Sequence, residues 1–279
     1  SPTLALQIGS SVVQATYISG TGTNTWIFTA TIVAGLNDTD GVSLPLNALT
    51  LNGASMSDAA GNACVITSAV VLSNPLFLVD TTVPTVVITS DISVLKAGDT
   101  ANITFTLSEE TVSSFAWDGS AGDVALSGGT LGAISGSGLS RTATFTPTAN
   151  LPSGNASITV ASGTYTDAAG NPGGAGTLTD SGGNSISIDT LAPTLAITSY
   201  DIEENLTAVA DLAGDDANSI TYSLSGSGAD NALFSVTSGG ALAFKLAKDF
   251  EKPGSAVGSN TYSITMNMVD VVGNVTNQA

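Results

Sequence analysis

The sequence predicts an all-β protein made of three tandem β-sandwich domains in an extended rod. Thr, Ser, Gly, Ala and Val dominate its 279 residues, and aromatic residues make up only 5%. This mixture combines β-formers with turn-formers and is unlike the composition of long helices. Short runs of alternating apolar and polar residues recur, separated by Gly, Asn and Asp. Such runs are typical of strands with one buried face, and about 100 residues of them per repeat fit a β-sandwich.

Two runs show the alternation most clearly. In the first, the side chains expected to face a core are Ala101, Ile103, Phe105 and Leu107. In the second, they are Tyr262, Ile264, Met266 and Met268. Further strands are predicted within residues 11–19, 24–33, 85–90, 140–148 and 217–226. The sequence shows no convincing amphipathic helix, so regular structure is expected to be strand throughout.

An internal repeat organises the chain. The motif DAAGN occurs at residues 58–62 and again at 167–171, so its aspartates are 109 residues apart. The phrases VDTTVPT and IDTLAPT keep the same offset, which separates Asp80 from Asp189. A constant offset across several motifs indicates a repeated structural unit.

The domain boundaries follow from the repeated phrases. Each phrase lies between two predicted strands, and its proline suits a short stiff linker because proline fixes φ and has no N–H. The predicted domains are therefore residues 1–83, 84–192 and 193–279.

Charge and residue usage exclude several function classes. Only 10% of residues are charged, yet the net charge is −18, with 23 acidic residues, five basic residues and no histidine. Five basic side chains make no footprint for nucleic acid, and no apolar run is long enough to span a membrane. Without histidine there is no catalytic triad and no typical zinc site, so we expect no enzyme. The single cysteine, Cys64, is expected to be a small buried apolar residue.

Longer phrases carry a resemblance to known families. FTLSEE, GGTLGAISGSG, TATFTPTAN, DAAGN and DTLAPT in the second domain, with NALTLNG, SDAAGN and VDTTVPT in the first, resemble bacterial Ig-like repeats. DIEEN, AVADLAGDDANSITYSLSG, DNALFSV, KDFE and MVDVVGN in the third domain resemble a bacterial cadherin-like domain. Together these phrases are similar to giant calcium-dependent adhesins of the RTX type.

The resemblance implies calcium as the bound cofactor and suggests three groups of ligands. The first group is Asp80, Glu109 and Asp167, near the junction of domains 1 and 2. The second is Asp189, Asp211 and Asp270, between domains 2 and 3. The usual partner of Asp211 is replaced by Ala213, with Asp215 or Asp216 as substitutes. The third is Glu204, Asp249 and Glu251, at the far end of domain 3.

Elementary electrostatics agrees with a cation, but a simpler interpretation stays open. Calcium takes six to eight oxygen ligands, and crowded carboxylates with few basic neighbours favour a divalent ion. Asp and Asn are also common in turns because they hydrogen-bond their own backbone. Asp58 and Asp167 fit that description as well. Five further acids are expected to be solubilising surface charges: Asp38, Asp40, Asp99, Asp118 and Asp180.

The resemblance implies a secreted bacterial cell-surface adhesin in which calcium stiffens a non-catalytic spacer between neighbouring domains. One alternative is a module that binds a glycan or protein, with Trp117 in the loop SSFAWDGSAGD as the candidate contact. A packing role for Trp117 competes with that interpretation, and sparse aromatics favour a spacer.

The chain ends suggest another alternative. In a gap-free alignment Ser1 corresponds to Glu110, so the first strands of domain 1 are expected to be lacking, as is the last strand of domain 3. Either the chain is a fragment, or a neighbouring subunit completes the sandwich by strand addition in an extracellular filament or surface layer.

Overall fold

The computed structural model describes residues 1–111, 114–179, 185–226 and 228–279. The chain divides into two compact units. Unit 1 comprises Ser1–Thr85, Glu109–Phe115 and Ser162–Gly174. Unit 2 comprises Val86–Ser108, Ala116–Ala161 and Ala175–Ala279. The three-domain division at residues 83 and 192 stays a prediction.

Unit 1 contains one antiparallel sheet. Its strands are β1 (Thr3–Ile8), β2 (Ser11–Ser19), β3 (Ile27–Thr29) and β4 (Leu49–Thr50), in the order β3-β2-β1-β4. β2 has the bounds that its alternating pattern predicts, whereas only three residues of the run 24–33 form a strand. On β2, Ala15 is buried and its neighbours Gln14 and Thr16 are exposed, so the sheet buries one face.

The first part of unit 2 is a ten-stranded arrangement. Its strands are β5 (Val86–Ser90), β6 (Val94–Leu95), β7 (Ala101–Leu107), β8 (Val124–Ser127), β9 (Gly129–Leu131), β10 (Ser135–Ser137), β11 (Ser140–Pro147), β12 (Gly154–Val160), β13 (Gly176–Thr179) and β14 (Ile186–Ile188). The order is β10-β11-β7-β5-β13-β12-β14-β6, with β8 on β12 and β9 on β11. β13 pairs with β5 in parallel and with β12 antiparallel, so this short strand links two sheets.

The core of this part confirms the predicted alternation. All four predicted inward residues of β7 are buried, and Phe105 is fully shielded. Phe145 on β11 and Ile158 on β12 are likewise fully shielded. Period-two patterning is preserved because each strand presents one face to the apolar interior and the other to water.

The second part of unit 2 forms smaller sheets. Its elements are β15 (Thr194–Leu195), β16 (Ala208–Asp211), β17 (Gly214–Asp215), β18 (Ile220–Leu224), a 3-10 turn (Asn231–Leu233), β19 (Phe234–Val236), β20 (Ala241–Phe244), β21 (Met266–Asp270) and β22 (Val275–Gln278). The sheets are β15-β17, β16-β20-β19 and β18-β21-β22. Their core includes Phe234, Phe244, Met266 and Met268. Tyr262 and Ile264, predicted in the same strand as Met266, precede β21 and are half-buried.

The all-β fold class is confirmed, and one prediction about the core is wrong. In the described residues the regular structure is strand, apart from the short 3-10 turn, and no helix there is long and apolar enough to cross a membrane. Cys64 is exposed. It lies just after a tight turn, where its N–H donates to the carbonyl of Met56 at 2.9 Å, outside any sheet that would cover it.

Adjacent residues of β5 provide a test of the burial pattern. Ile88 is 0% exposed and Val87 is 57% exposed. Ile88→Ala is expected to lower the free energy of unfolding by about 2–5 kcal/mol because it leaves a cavity in the core. The matched change Val87→Ala should cost less than about 1 kcal/mol. Urea unfolding measures both, and equal losses would contradict the register.

Candidate metal centres

Within the described residues, three copies of one turn, Asp-x-x-Gly-Asn, share a single hydrogen-bond pattern. They lie at residues 58–62, 167–171 and 270–274. In each copy the Asn backbone N–H donates to Oδ1 of the Asp, at 2.8, 2.9 and 2.9 Å respectively. The Asn side-chain amide donates to Oδ2 of the same Asp, at 2.8, 2.7 and 2.7 Å. The Gly has φ of 89°, 90° and 99°, a left-handed conformation that favours glycine. The turn therefore fixes its carboxylate from both sides.

The turn also favours the ionised carboxylate where a shift in pKa is resolved. The side-chain amide of Asn62, followed by its backbone N–H, lowers the pKa of Asp58. Burial raises the pKa of Asp167, but the hydrogen bonds from Asn171 and from the backbone around Gly170 outweigh it, and the net shift is downward. A charge held in this way remains available to a cation.

Two of these asparagines also hold the preceding linker aspartates. The Asn171 amide donates to the backbone carbonyl of Asp80 at 3.0 Å, and the Asn274 amide donates to that of Asp189 at 3.0 Å. These two linker residues are the ones that the 109-residue offset relates. The structure therefore puts a linker acid next to a turn acid twice, by the same contact.

A third acid completes the first cluster, in unit 1. One carboxylate oxygen from each of Asp80, Glu109 and Asp167 lies within 4.8 Å of the others. Burial, then the charges of Asp80 and Asp167, raise the pKa of Glu109. Glu109 Oε1 is shielded from solvent and has no hydrogen-bond partner in the described residues. Unit 1 contains no Lys or Arg to compensate these charges.

The second cluster, in unit 2, has the same plan. One oxygen from each of Asp189, Asp216 and Asp270 lies within 4.8 Å of the others, and both Asp189 and Asp270 are buried. Burial raises the pKa of Asp216; the backbone hydrogen bond from Asn218 opposes this shift, and the charges of Asp189, Asp270 and Asp215 add to it. Asp216 Oδ2 is shielded and unpartnered within the part of the chain that the structure describes. The side-chain amide of Asn218 donates to the Asp189 carboxylate.

Asp211, predicted for this second group, is not a member of it. It ends strand β16, is exposed, and pairs through its backbone with Ala241. Asp216 takes its place because it follows β17, whose Asp215 pairs with Thr194 five residues after the linker acid. The sequence offered Asp216 only as a substitute, since spacing alone does not show which acid a short strand carries to the linker.

The third predicted group also forms a cluster, and this cluster is more exposed to solvent than the first two. Oxygens of Glu204, Asp249 and Glu251 lie within 4.8 Å of one another, and only Asp249 is half-buried. Glu204 accepts a hydrogen bond from the N–H of Phe250 at 3.1 Å, and Asp249 pairs with Lys252 at 3.5 Å. The negative charge of this cluster is therefore partly compensated by the Phe250 N–H and by Lys252.

The donor sets of the first two clusters fit a hard divalent cation. Calcium binds carboxylate and carbonyl oxygens, and each cluster offers three carboxylates with one oxygen left without a hydrogen bond. An unpaired shielded oxygen is costly unless a proton or a cation satisfies it. Asp58 has the same turn but is not part of any such group among the described residues.

One of the expected surface charges is structural instead. Asp38 is 4% exposed and accepts hydrogen bonds from the N–H groups of Gly9 at 2.8 Å and Gly41 at 2.7 Å. The bond from Gly9 is the largest cause that lowers the pKa of Asp38. The expectation of a solubilising role is wrong for this residue because it closes a backbone turn. Asp180 lies outside the described residues.

Trp117 is half-buried, and its indole N–H donates to the carbonyl of Leu131 at 3.2 Å. That bond uses the only polar group of the indole. The contact fits the packing role that competed with ligand recognition for this residue.

Comparison with known proteins agrees with the β-sandwich fold class. Residues 80–188 match the family model of the bacterial Ig-like domain. A bacterial Ig-like domain is therefore found in this part of the chain, four residues earlier than the predicted bounds of 84–192. The match does not extend to the expected cadherin-like region or to an RTX adhesin. A search of curated proteins found no match.

The raised pKa values predict a cost of ionisation that neutral isosteres remove. An acid whose pKa is raised on folding destabilises the folded state as pH rises from its ordinary value, 4.5 for Glu109 and 3.8 for Asp216, through its folded pKa. At pH 7 in chelator, Glu109→Gln and Asp216→Asn should therefore each raise the melting temperature above that of the wild-type protein. Thermal unfolding checks this, with exposed Glu110→Gln as the control that stays unchanged. A fall in melting temperature for both isosteres would contradict it.

Proposed function

We propose that the chain is a non-catalytic segment of a secreted or cell-surface bacterial adhesin, and that calcium rigidifies it as a spacer. The Ig-like domain at residues 80–188 supports a surface or extracellular module. The Ig-like β-sandwich is also a typically non-catalytic fold. The absence of histidine from the whole sequence also argues against the common acid–base and triad mechanisms. Neighbouring domains of the same chain or of adjacent subunits are its direct partners.

The observation that carries this proposal is the repeated cluster. Twice, a linker acid, an Asp-x-x-Gly-Asn acid and a third acid with an unpaired oxygen converge within 4.8 Å. A plain turn needs only its own aspartate, so the turn interpretation does not account for the linker acid and the third acid. Their convergence is costly without a counter-ion: two carboxylates about 4 Å apart repel by roughly 4 kcal/mol at an effective dielectric constant near 20.

Each acid of a cluster would have a distinct role in holding the ion. In the first cluster Asp167, held by its turn, and Asp80, held through its backbone by Asn171, would supply ligands from two parts of the chain. Glu109 would supply the oxygen that lacks a hydrogen bond. In the second cluster Asp270, Asp189 and Asp216 would take these roles. A bound calcium ion would supply the positive charge that ties each linker to the sandwich beside it.

Calcium titration with a matched pair of variants tests the proposal. Calcium at about 100 times its dissociation constant should add about 2.7 kcal/mol to the stability of the site-bearing unit, seen as a higher melting temperature than in chelator. Asp189→Ala should lose most of the gain from the second site. Asp211→Ala removes an exposed acid outside the cluster and should keep it.

Small-angle scattering on the same samples reports linker rigidity. Chelation should make wild-type protein more flexible at the linker of the first cluster, and Asp80→Ala should remain flexible there with calcium present. An unchanged melting temperature and scattering profile in wild-type protein would reject the proposed function.

A second candidate, assembly by strand addition into a filament or surface layer, rests on one comparison within the chain. Ile186 on β14 is 0% exposed, and β14 pairs with β12 and β6. Its counterpart 109 residues earlier, Phe77, is 63% exposed, as are several apolar neighbours. An exposed apolar segment that forms a strand elsewhere is a template for a strand from another copy.

Sedimentation over a range of concentrations tests this candidate. Wild-type protein should associate, and Phe77→Ser should shift it to monomer by removing apolar contact area. The matched variant Val87→Ser alters an equally exposed residue on β5, which is already paired on both sides, and should leave association unchanged. A monomeric wild-type protein at high concentration would exclude strand addition.

A further inference from the structure

Asn274 joins three parts of unit 2 through one buried side chain. It is 3% exposed. Its amide Nδ2 donates to Asp270 Oδ2 at 2.7 Å and to the backbone carbonyl of Asp189 at 3.0 Å. Its Oδ1 accepts from the N–H of Ala97 at 2.9 Å. The three partners belong to the last Asp-x-x-Gly-Asn turn, to the linker, and to the Ig-like domain at residues 80–188.

Only an asparagine satisfies all three partners. A primary amide has two N–H donors and one carbonyl acceptor, and here each has a partner. An aspartate in the same place would offer acceptors to two other acceptors, and an alanine would leave the Ala97 N–H and the Asp189 carbonyl without their contacts. Buried polar groups left unpaired in this way are costly, so the site specifies this residue.

The Ig-like domain presents a turn built for this contact. Asp99 N–H bonds the carbonyl of Lys96 at 3.1 Å, and Gly98 has φ of 84°, which is the pattern of a type II turn with Ala97 at its second position. The N–H at that position is not used within such a turn, so it is available to Asn274. Gly273 lies beside the same turn, since a Cβ there would be in ordinary van der Waals contact with Lys96 Cδ at 3.6 Å.

The linker that Asn274 contacts is itself fixed to the Ig-like domain. The N–H of Asp189 donates to the carbonyl of Leu95 at 2.9 Å, and that of Thr190 donates to the carbonyl of Leu151 at 2.8 Å. The Asn274 amide is therefore connected to the Ig-like domain twice, through the linker carbonyl of Asp189 and through the N–H of Ala97. Asn171 makes the corresponding linker contact, and Asn62 bonds its own turn.

We propose that Asn274 is a positioning residue that fastens residues 193–279 to the Ig-like domain before any ion binds. It holds the linker acid Asp189 against Asp270, so the second acid cluster is preformed. The part of this inference that concerns ion affinity rests on the proposed calcium function. The fastening itself needs no ion, since every contact in it is a hydrogen bond between protein groups.

Spin-label distance measurements in chelator test the fastening. The exposed residues Ser157 on β12 and Ser235 on β19 are replaced by cysteine and labelled, with Cys64→Ser in the background. The parent protein should give a narrow distance distribution. Asn274→Ala should widen it, because the side-chain contacts to the Asp189 carbonyl and to the Ala97 N–H are both lost. Asn62 closes another copy of the turn and makes no such contacts, so Asn62→Ala should leave the distance distribution narrow.

A second variant separates the fastening from folding. Ala97→Pro suits the second position of a type II turn and replaces the N–H with a ring carbon that pushes against Asn274 Oδ1. It replaces no residue of the Asp270 turn and no core residue, so circular dichroism should stay unchanged while the distribution widens. A narrow distribution in folded Asn274→Ala and in folded Ala97→Pro would overturn the proposal.

Calcium titration of the same proteins keeps the two proposals distinguishable. Asn274→Ala should weaken binding at the second cluster about tenfold and leave the first cluster unchanged. If calcium binds nowhere but both variants widen the distribution, the fastening holds and the calcium function fails. If calcium binds to the parent and to Asn274→Ala with equal affinity and both distributions stay narrow, the fastening fails and the calcium function holds.

Discussion

The hydrogen bond from an asparagine amide to an aspartate carboxylate, four residues earlier, is the interaction on which the acid clusters depend. It closes each Asp-x-x-Gly-Asn turn and leaves a second amide N–H directed away from the turn. In the copies at residues 167–171 and 270–274 that N–H holds a linker carbonyl. The linker acids consequently lie beside the turn acids, and a local turn determines where charge collects in the folded chain.

The clusters combine acids with opposite tendencies. Hydrogen bonds lower the pKa of Asp167, whereas burial and neighbouring charge raise that of Glu109. One member of the cluster is thus fixed as an anion, and the other is ionised at a cost unless something positive is near. Basic side chains do not fill that role in unit 1, which has none. The proposed exchangeable cation would make the stability of the cluster depend on the medium, which an internal lysine would not do.

The sequence predicted well those features that depend on period and repetition. β2 and β7 match their alternating runs because one face of each meets an apolar interior, and the offset of 109 residues identified both linker acids. It predicted poorly those that depend on short loops. Asp216 replaces Asp211 because a two-residue strand determines its position, and Asp38 is buried by backbone donors that no pattern reveals. The asparagines were visible in each motif, but nothing in the sequence showed what their amides contact.

Variation within the turn follows from these roles. The two residues after the aspartate are Ala in the first two copies and Val in the third, and both Ala168 and Val271 are exposed. What the aspartate uses from this stretch is a backbone N–H, as when Val272 N–H donates to Asp270 Oδ1 at 2.8 Å, and any residue except proline supplies that donor. The glycine must adopt a positive φ, and the asparagine side chain must donate to the aspartate in all three copies and to a linker carbonyl in the last two, so these remain the same. The region at 193–279, which the Ig-like match does not reach, therefore shares with the Ig-like domain a device defined by hydrogen bonds, whatever the topology of the strands around it.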